Sequence, residues 1–525
     1  MASGLLLPAS IPPIFINRDM SPVCFSAKSD IGGCDRGCMV NEEFDSRAEV
    51  RNRRAYHRLL AIAWVLVVSL GLFFGFKYWA YDDPFITFRY ADNLRSGLGF
   101  VYNPGERVLS TTTPLYALLL AGLGYLWSNL PHLSNLISAL SLALGGFFLY
   151  LIGKRWKEPL AGLSAAVLFP FFPLMVSTFG AETCFYVMLI LGAFAFYAGE
   201  RYHWAMALAA LATLTRTDGV LVAAVLGMDF LIKHRRIPWR SVLLFALLVA
   251  PWYLFSWGYF GTPFPVTLAA KQHQAQMAIS DSFPQGFWRL LRGYGQHPLY
   301  WLQGALTLVG IVYALVKARR WLPLLSWGIL YFVSYTFLGV SRYFWYYAPL
   351  APVALAMFGL GVSAVAHWLP SALRRGWRGG IALFILLTLL LWRQGRGLWY
   401  VYRHPDHRVG IYRDVGVWLS ENTPTDASVG TLEVGIIGYY AHRRMIGFAG
   451  LIQPEVGEQM KRETVYQDTA IWAVQRYHPD YLVLNPQWFP DLMDDTVSPF
   501  CSPQQTFINE GYHGELKVYE CDWTK

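Results

Sequence analysis

Charged residues are scarce in this sequence. Asp, Glu, Lys and Arg together make up 15% of its 525 residues, whereas hydrophobic residues make up 55%. So low a charge content excludes a soluble globule and is typical of a polytopic membrane protein. The net charge of +9 does not indicate a nucleic-acid partner, because the basic residues lie in short clusters between apolar runs, as in a positive-inside topology.

Cysteine is also rare, with six in the chain, and no repeat of fixed period is present. The cysteines in the first 50 residues are Cys24, Cys34 and Cys38. They lack a histidine partner, so they do not favour a zinc site. This stretch also has no apolar run followed by a small-residue cleavage site, and no signal peptide is predicted. We interpret residues 1–58 as a disordered cytoplasmic tail, or as sequence upstream of a true start at Met20 or Met39.

Long apolar runs are abundant, and eleven of them span or nearly span about 30 Å of hydrocarbon. The runs cover residues 59–79, 132–153, 159–178, 183–199, 204–215, 219–232, 241–259, 298–316, 322–340, 346–368 and 379–392. If each run crosses once, six basic clusters, from Arg51–Arg54 to Arg374–Arg378, fall on one side, which the positive-inside rule makes cytoplasmic. We therefore predict about 11 transmembrane helices, with the N-terminus inside and the C-terminus outside.

Residues 113–130 are apolar as well. Counting them as a crossing would place the cluster Lys154–Lys157 and four later clusters on the wrong side. We therefore interpret Pro114–Leu130 as a juxtamembrane or re-entrant helix.

Residues 398–525 differ from the transmembrane part, residues 59–397, because the apolar runs shorten and charges increase. Strand-like stretches at 428–432, 481–484 and 516–519 alternate with helix-like stretches at 409–421 and 468–477. This pattern predicts a small α/β domain outside the membrane. Cys501 and Cys521 both lie in it, and a location outside the cytoplasm permits a disulfide between them.

Several ionisable residues stand at the ends of apolar runs, and the predicted topology places them all on the outer face. They are Asp82, Asp83, Glu182, Arg216, Asp218, Lys271 and Arg342. An ionisable pair at a membrane boundary, such as Asp82 with Asp83, is costly to keep there and suggests a functional site. Acids and cations gathered on one face of a helical bundle indicate an active site on that face.

Each of these residues also has a structural interpretation. Asp83 precedes a proline and could cap a helix over 84–96, which leaves Asp82 as the freer carboxylate and the better candidate base. Arg89 and Arg95 are read more readily as a solvated helix face with local ion pairs to Asp92. Glu182 could cap the helix that follows it.

The remaining cations have simple structural readings too. Arg216 and Asp218 could pair only with each other across a turn. Lys271 could be a loop lysine at the interface, and Arg342 a snorkelling residue among aromatics.

A resemblance gives these residues a role. The first outer loop resembles that of the GT-C membrane glycosyltransferases, most of all the cell-wall arabinofuranosyltransferases and more distantly the protein O-mannosyltransferases and the lipid A aminoarabinose transferase. The segments that carry the likeness are Asp82–Ala91, Gly97–Val108, Thr112–Leu115, Gly180–Thr183, Thr215–Gly219, Gly261–Pro265 with Lys271, and Arg342–Tyr343.

The resemblance implies transfer of a sugar from a polyprenyl-phosphate donor to an acceptor hydroxyl at the extracytoplasmic face of the plasma membrane. The acceptor would be a glycan, lipid or protein of the cell envelope. The resemblance makes Asp82 the general base with Asp83 beside it, and the transfer would invert the anomeric carbon. The chemistry then needs fixed cations for the departing phosphate, which Arg216, Lys271 or Arg342 could supply.

Glu182, Asp218 and Arg89 are expected to support the site. Asp82, Asp83 and Glu182 could hold a divalent cation, although hydrogen bonds and ion pairs explain three nearby carboxylates more simply, and no metal ligand is assigned.

Two other classes of function stay open. A transporter or flippase of lipid-linked sugars should carry polar residues in the middle of several spans, and few are present. An assembly or sensor protein that binds a ligand through its outer domain predicts that Asp82 is dispensable.

Overall fold

The computed structural model describes residues 59–277, 280–368 and 377–524. The predictions for the tail of residues 1–58, with its three cysteines and two possible start sites, and for Arg374 and Arg375 lie outside the described residues.

Seven helices of the described part are long and apolar enough to cross a membrane. They are Leu59–Phe76, Leu130–Arg155, Trp239–Phe260, Pro298–Val316, Arg319–Leu338, Phe344–Trp368 and the stretch Arg378–Asn422. Each of the other four predicted runs also contains a helix: Pro159–Leu168, Thr183–Ala198, Tyr202–Thr215 and Val220–His234. These four have only 10 to 16 residues, at most about 24 Å of helix. The described helices therefore form a membrane bundle, while the count of eleven crossings stays a prediction.

The stretch after the first loop forms the helix Pro114–Gly124. Its 11 residues extend about 16 Å, roughly half the hydrocarbon thickness. Its buried side chains Tyr116 and Leu120 share a hydrophobic cluster with Phe88 of the preceding helix, Asp83–Arg95. This length agrees with a juxtamembrane helix rather than a crossing.

The helix Asp83–Arg95 holds the first loop in place. Pro84 stands in its first turn, where a missing N–H costs nothing, and Gly97, with φ of +77°, follows its end. The helix therefore lies within a residue of the predicted span 84–96. Its aromatic residues Phe85 and Phe88 pack into the hydrophobic cluster that also contains Ile411 and Ile437 of the C-terminal part. Burial of these side chains thus fixes the first loop against the α/β domain.

The α/β domain contains a five-stranded mixed sheet. The strands are β1 (Ser428–Thr431), β2 (Arg444–Gly447), β3 (Tyr481–Leu484), β4 (Cys501–Phe507) and β5 (Leu516–Cys521), in the order β2-β1-β3-β5-β4. Strands β2, β1 and β3 are parallel, whereas β5 and β4 are antiparallel additions. The helices Arg408–Asn422, Ile436–Ala441, Pro454–Glu458 and Tyr466–Tyr477 accompany the sheet.

Strands β1, β3 and β5 correspond to predicted stretches, whereas β2 and β4 were missed. β4 is an edge strand that carries Pro503 beside a register shift, and a proline in a polar run argues against a strand in sequence. The residues Cys501 and Cys521 are paired across β4 and β5 and joined as a disulfide.

The boundary expected between residues 397 and 398 falls inside a helix. The helix Trp377–Arg403 continues past it, and Arg408–Asn422 starts after a short turn. The apolar run ends at residue 392, but arginines such as Arg393 and Arg396 are good helix formers. A rise in charge therefore marked the end of the apolar stretch and not the end of the helix.

Candidate active site

A cavity of about 390 Å³ lies where the first loop meets the membrane helices. It is lined by five of the eight predicted site residues, namely Asp83, Glu182, Arg216, Asp218 and Lys271. Asp82, Arg89 and Arg342 are not among its lining residues. Five of the predicted charged residues therefore share this cavity, and the other three lie elsewhere.

The cavity wall contains an ion pair between two helices. Lys271, on the helix Val266–Gln276, places Nζ 3.5 Å from Oδ2 of Asp83. The same Nζ lies 3.9 Å from the ring centroid of Tyr343, a cation–π contact. Burial lowers the pKa of Lys271, but Asp83, Tyr343 and Tyr346 together outweigh it and raise that pKa above its ordinary value. Lys271 therefore stays charged in the cavity.

Arg216 is the centre of a second charged group in the cavity wall. Its guanidinium donates to Glu182 at 3.1 Å and to Asp218 at 3.2 and 3.3 Å, and also to the hydroxyl of Tyr335. That hydroxyl donates in turn to Asp218 at 2.7 Å. The expectation that Arg216 and Asp218 pair only with each other was therefore too narrow.

The two cations differ in how many of their N–H donors already have a hydrogen-bond partner. All three guanidinium nitrogens of Arg216 donate to side chains. Lys271 has three N–H donors, and its hydrogen-bond partners in the described part of the chain are Asp83, at 3.5 Å, and Tyr343. Lys271 can therefore donate to a further anion without breaking its present contacts, whereas Arg216 mainly holds the two acids in place.

Asp82 is not the freer carboxylate, and this expectation was wrong. Its oxygens accept hydrogen bonds from the backbone N–H groups of Gly435 and Ile436, at 2.9 and 2.8 Å. Burial, followed by the nearby Glu433, raises the pKa of Asp82 well above its ordinary value, while these two N–H groups act in the opposite direction. The side chain of Asp83, by contrast, is 34% exposed and lines the cavity. Asp83 also makes no side-chain capping bond, since the helix begins with Asp83 itself.

The arrangement of the acids also bears on metal binding. Since both oxygens of Asp82 are held by the domain, Asp82, Asp83 and Glu182 do not converge on one point. Within residues 59–277, 280–368 and 377–524, no group of three or more His, Cys, Asp or Glu side chains is placed to hold a metal ion.

Arg89 is not part of a solvated face. It is 3% exposed and donates to the carbonyl oxygen of Tyr102 at 2.8 Å and to those of Gly438 and Arg443. Two of these carbonyls belong to the C-terminal domain, so Arg89 fastens the first loop to that domain. Arg95 does form the expected local pair with Asp92, at 2.6 Å.

Arg342 lies outside the cavity. Its Nε is 2.8 Å from Oδ2 of Asp281, and its side chain is half exposed. Asp281 also accepts from Arg289 at 2.8 Å. Arg342 therefore forms a surface ion pair with Asp281, a residue that the sequence did not single out, and its role in binding a donor phosphate stays a prediction.

Two loops of the C-terminal domain contact residues next to the ion pair, one after β1 and one after β2. The loop after β1 supplies the N–H groups that hold Asp82. The loop after β2 supplies the carbonyl of Ala449, which accepts from Gln274 at 3.0 Å. Gln274 in turn accepts from the hydroxyl of Tyr343 at 2.9 Å, and the Tyr343 ring contacts Lys271.

Gln274 and Tyr335 are site residues that sequence reasoning missed. Gln274 follows Lys271 by three positions and so lies on the same helix face, a weak pattern on its own. Tyr335 lies inside an apolar helix, where a tyrosine looks like any other interfacial aromatic.

Comparison with known proteins agrees with this architecture. Residues 401–520 match the model of a domain of unknown function, DUF8728. A terminal β-(1→2)-arabinofuranosyltransferase of Mycobacterium tuberculosis is 26% identical over 265 residues, which cover 42% of this chain and only 39% of that protein.

Two solved structures are similar over most of the chain. ArnT from Cupriavidus metallidurans, bound to undecaprenyl phosphate, has a TM-score of 0.54 and 16% identity, covering 88% of this chain and 97% of ArnT. The oligosaccharyltransferase AglB from Archaeoglobus fulgidus, in complex with an inhibitory peptide and a dolichol-phosphate, has a TM-score of 0.58 and 12% identity, covering 87% of this chain and 75% of AglB. The chain therefore has the fold of the GT-C membrane glycosyltransferases.

Proposed function

We propose that this protein transfers a sugar from a polyprenyl-phosphate donor to an acceptor hydroxyl, in the plasma membrane and with its cavity on the extracytoplasmic face. The observation that carries this proposal is the ion pair of Asp83 and Lys271 in the wall of the cavity. Similarity to an arabinofuranosyltransferase and to proteins solved with undecaprenyl phosphate and a dolichol-phosphate supports it. The acceptor would be a glycan, lipid or protein of the cell envelope.

Asp83 is the better candidate for the general base. A hydroxyl becomes a good nucleophile when a carboxylate within hydrogen-bond reach takes its proton during attack. Asp83 lines the cavity and is one-third exposed, whereas both oxygens of Asp82 are occupied by backbone N–H groups. In this mechanism the acceptor oxygen bonds to the anomeric carbon as the bond from that carbon to the phosphate oxygen breaks. The proton goes to Asp83, and the configuration is inverted.

Lys271 is the candidate partner of the departing phosphate. The leaving group gathers negative charge, and a fixed cation in a water-poor cavity stabilises it. Arg216 supports the site by holding Glu182 and Asp218. A flippase is less consistent with this arrangement, because Asp83, Lys271 and Arg216 all lie outside the seven candidate membrane spans.

Replacing Lys271 with Ala tests the proposal against a matched control, Arg342→Ala. We expect Lys271→Ala to lower sugar transfer roughly 10- to 100-fold, since it removes a charged hydrogen bond to the leaving group. We expect Arg342→Ala, which breaks an exposed pair outside the cavity, to change transfer by no more than about twofold. The measurement is transfer of labelled sugar from polyprenyl-phosphate donors by the protein reconstituted in liposomes.

The outcomes separate the functional classes. Unchanged transfer in Lys271→Ala would remove Lys271 from the mechanism, and equal loss in both variants would return Arg342 to the candidates for the phosphate site. No transfer by the wild type, with donor lipids translocated across the liposome membrane instead, would favour the flippase.

A further inference from the structure

The cavity has a second polar wall that carries no charge. Its lining includes side-chain hydroxyls from two helices and the loop between residues 109 and 114. The members of this hydroxyl wall are Thr87, Ser110, Thr111, Thr112, Thr113 and Thr267. The proposed mechanism uses none of them.

The hydroxyl wall lies one helical turn from the ion pair on both helices. Thr87 follows Asp83 by four positions, and Thr267 precedes Lys271 by four. Side chains spaced in this way are neighbours on one helix face, with Cβ atoms about 5 to 6 Å apart. The backbone N–H of Val266 donates to the carbonyl of Leu109 at 3.0 Å, which holds Thr267 beside the loop that carries Ser110 to Thr113.

Several of these hydroxyls can form further hydrogen bonds with a bound group. The Oγ1 atoms of Thr87, Thr111 and Thr113 lie 3.1 to 3.4 Å from one another. The hydroxyl of Thr267 is buried, in a residue only 6% exposed, and finds no hydrogen-bond partner in the described part of the chain. A hydroxyl of the cavity wall that has no partner in the protein keeps its donor and its acceptors for a bound group.

We infer that the hydroxyl wall binds the hydroxyl groups of a sugar ring, an inference that rests on the proposed function. A sugar ring needs neutral groups that both donate and accept, and each threonine or serine hydroxyl does both. The threonine methyl groups give the ring C–H groups an apolar surface. The cavity is thus divided into a charged end for the phosphate and the reacting hydroxyl, and a neutral end for a ring one helical turn away.

Thr267→Val tests this inference, because valine has a similar size and lacks only the hydroxyl. The probes are undecaprenyl phosphate alone and undecaprenyl phosphates that carry either an arabinofuranose or a hexopyranose. We expect Thr267→Val to weaken binding of a sugar-bearing lipid about two- to tenfold and to leave binding of the bare lipid unchanged. Thr267→Ser, which keeps the hydroxyl, should restore the affinity. Thr336→Val is the matched control, since its hydroxyl donates to the carbonyl of Phe332 on its own helix and Thr336 does not line the cavity.

Each outcome of these binding and kinetic measurements either supports or contradicts the inference. If binding of the sugar lipids is unchanged but the acceptor KM rises in Thr267→Val and not in Thr267→Ser, the wall holds the sugar of the acceptor rather than that of the donor. If neither changes, or if the wild type binds no sugar-bearing lipid more tightly than the bare one, the inference is overturned. Absence of sugar transfer by a wild type that still prefers the sugar-bearing lipid would contradict the proposed function alone.

Discussion

Replacing Asp83 with Asn is expected to lower the turnover number of sugar transfer about 10²- to 10⁴-fold, the range that a general base contributes. Asparagine keeps the size of the side chain and can still contact Lys271, but it cannot take a proton from the acceptor. Binding of the donor lipid and thermal stability should stay close to those of the wild type, because Asp83 is partly exposed and makes no capping bond. Single-turnover transfer with saturating donor measures this effect.

The informative comparison is Asp82→Asn. An amide cannot accept from both Gly435 and Ile436 through two oxygens as the carboxylate does, so this variant should unfold at a lower temperature. Asp83→Asn should not. If Asp82→Asn abolished transfer while keeping full stability, and Asp83→Asn stayed active, the base would be Asp82, as the resemblance alone implied.

Gly435→Ala is expected to reduce transfer about 100-fold, the cost of misplacing a catalytic group by roughly 1 Å. A Cβ atom at Gly435 would lie 2.1 Å from the backbone oxygen of Asp82 and 2.6 Å from its Oδ2. The φ angle of −68° at Gly435 suits any residue, so the effect comes from the contact and not from backbone strain. The added methyl group must push Asp82, and Asp83 with it, away from its present position.

Gly457→Ala is the matched control for that variant. It makes the same change in the same domain, but the nearest atoms would lie at ordinary contact distances of 3.7 to 3.9 Å. Transfer rates and thermal unfolding of both variants should be compared. A fully active Gly435→Ala would mean that the loop after β1 does not position the catalytic pair.

Local patterns in the sequence predicted those features of the structure that are determined by residues close together in the chain. Pro84 and Gly97 mark the start and the end of one helix, and the structure places both ends within a residue of the prediction. The pairing of Arg95 with Asp92 is another case, because helical spacing alone determines it. Glu182, Arg216 and Lys271, which the sequence places at the ends of apolar runs, all line one cavity.

The errors concern contacts between distant parts of the chain. The two N–H groups that hold Asp82 lie 353 and 354 residues further on, and two carbonyls that hold Arg89 lie 349 and 354 residues away. Backbone groups carry no sequence signature, so no motif could have indicated these bonds. The ion pair of Arg342 was missed for a related reason, because its partner Asp281 lies 61 residues earlier in the chain.

The paired loops after β1 and β2 restrict how this protein can change over evolution. One loop holds Asp82, and the other reaches Lys271 through Gln274 and Tyr343. The two partners of the ion pair are therefore supported from one small domain, although they belong to helices far apart in sequence. A hybrid that joins the membrane helices of one relative to the α/β domain of another must preserve both loops together. We expect the two parts to be inherited as a unit.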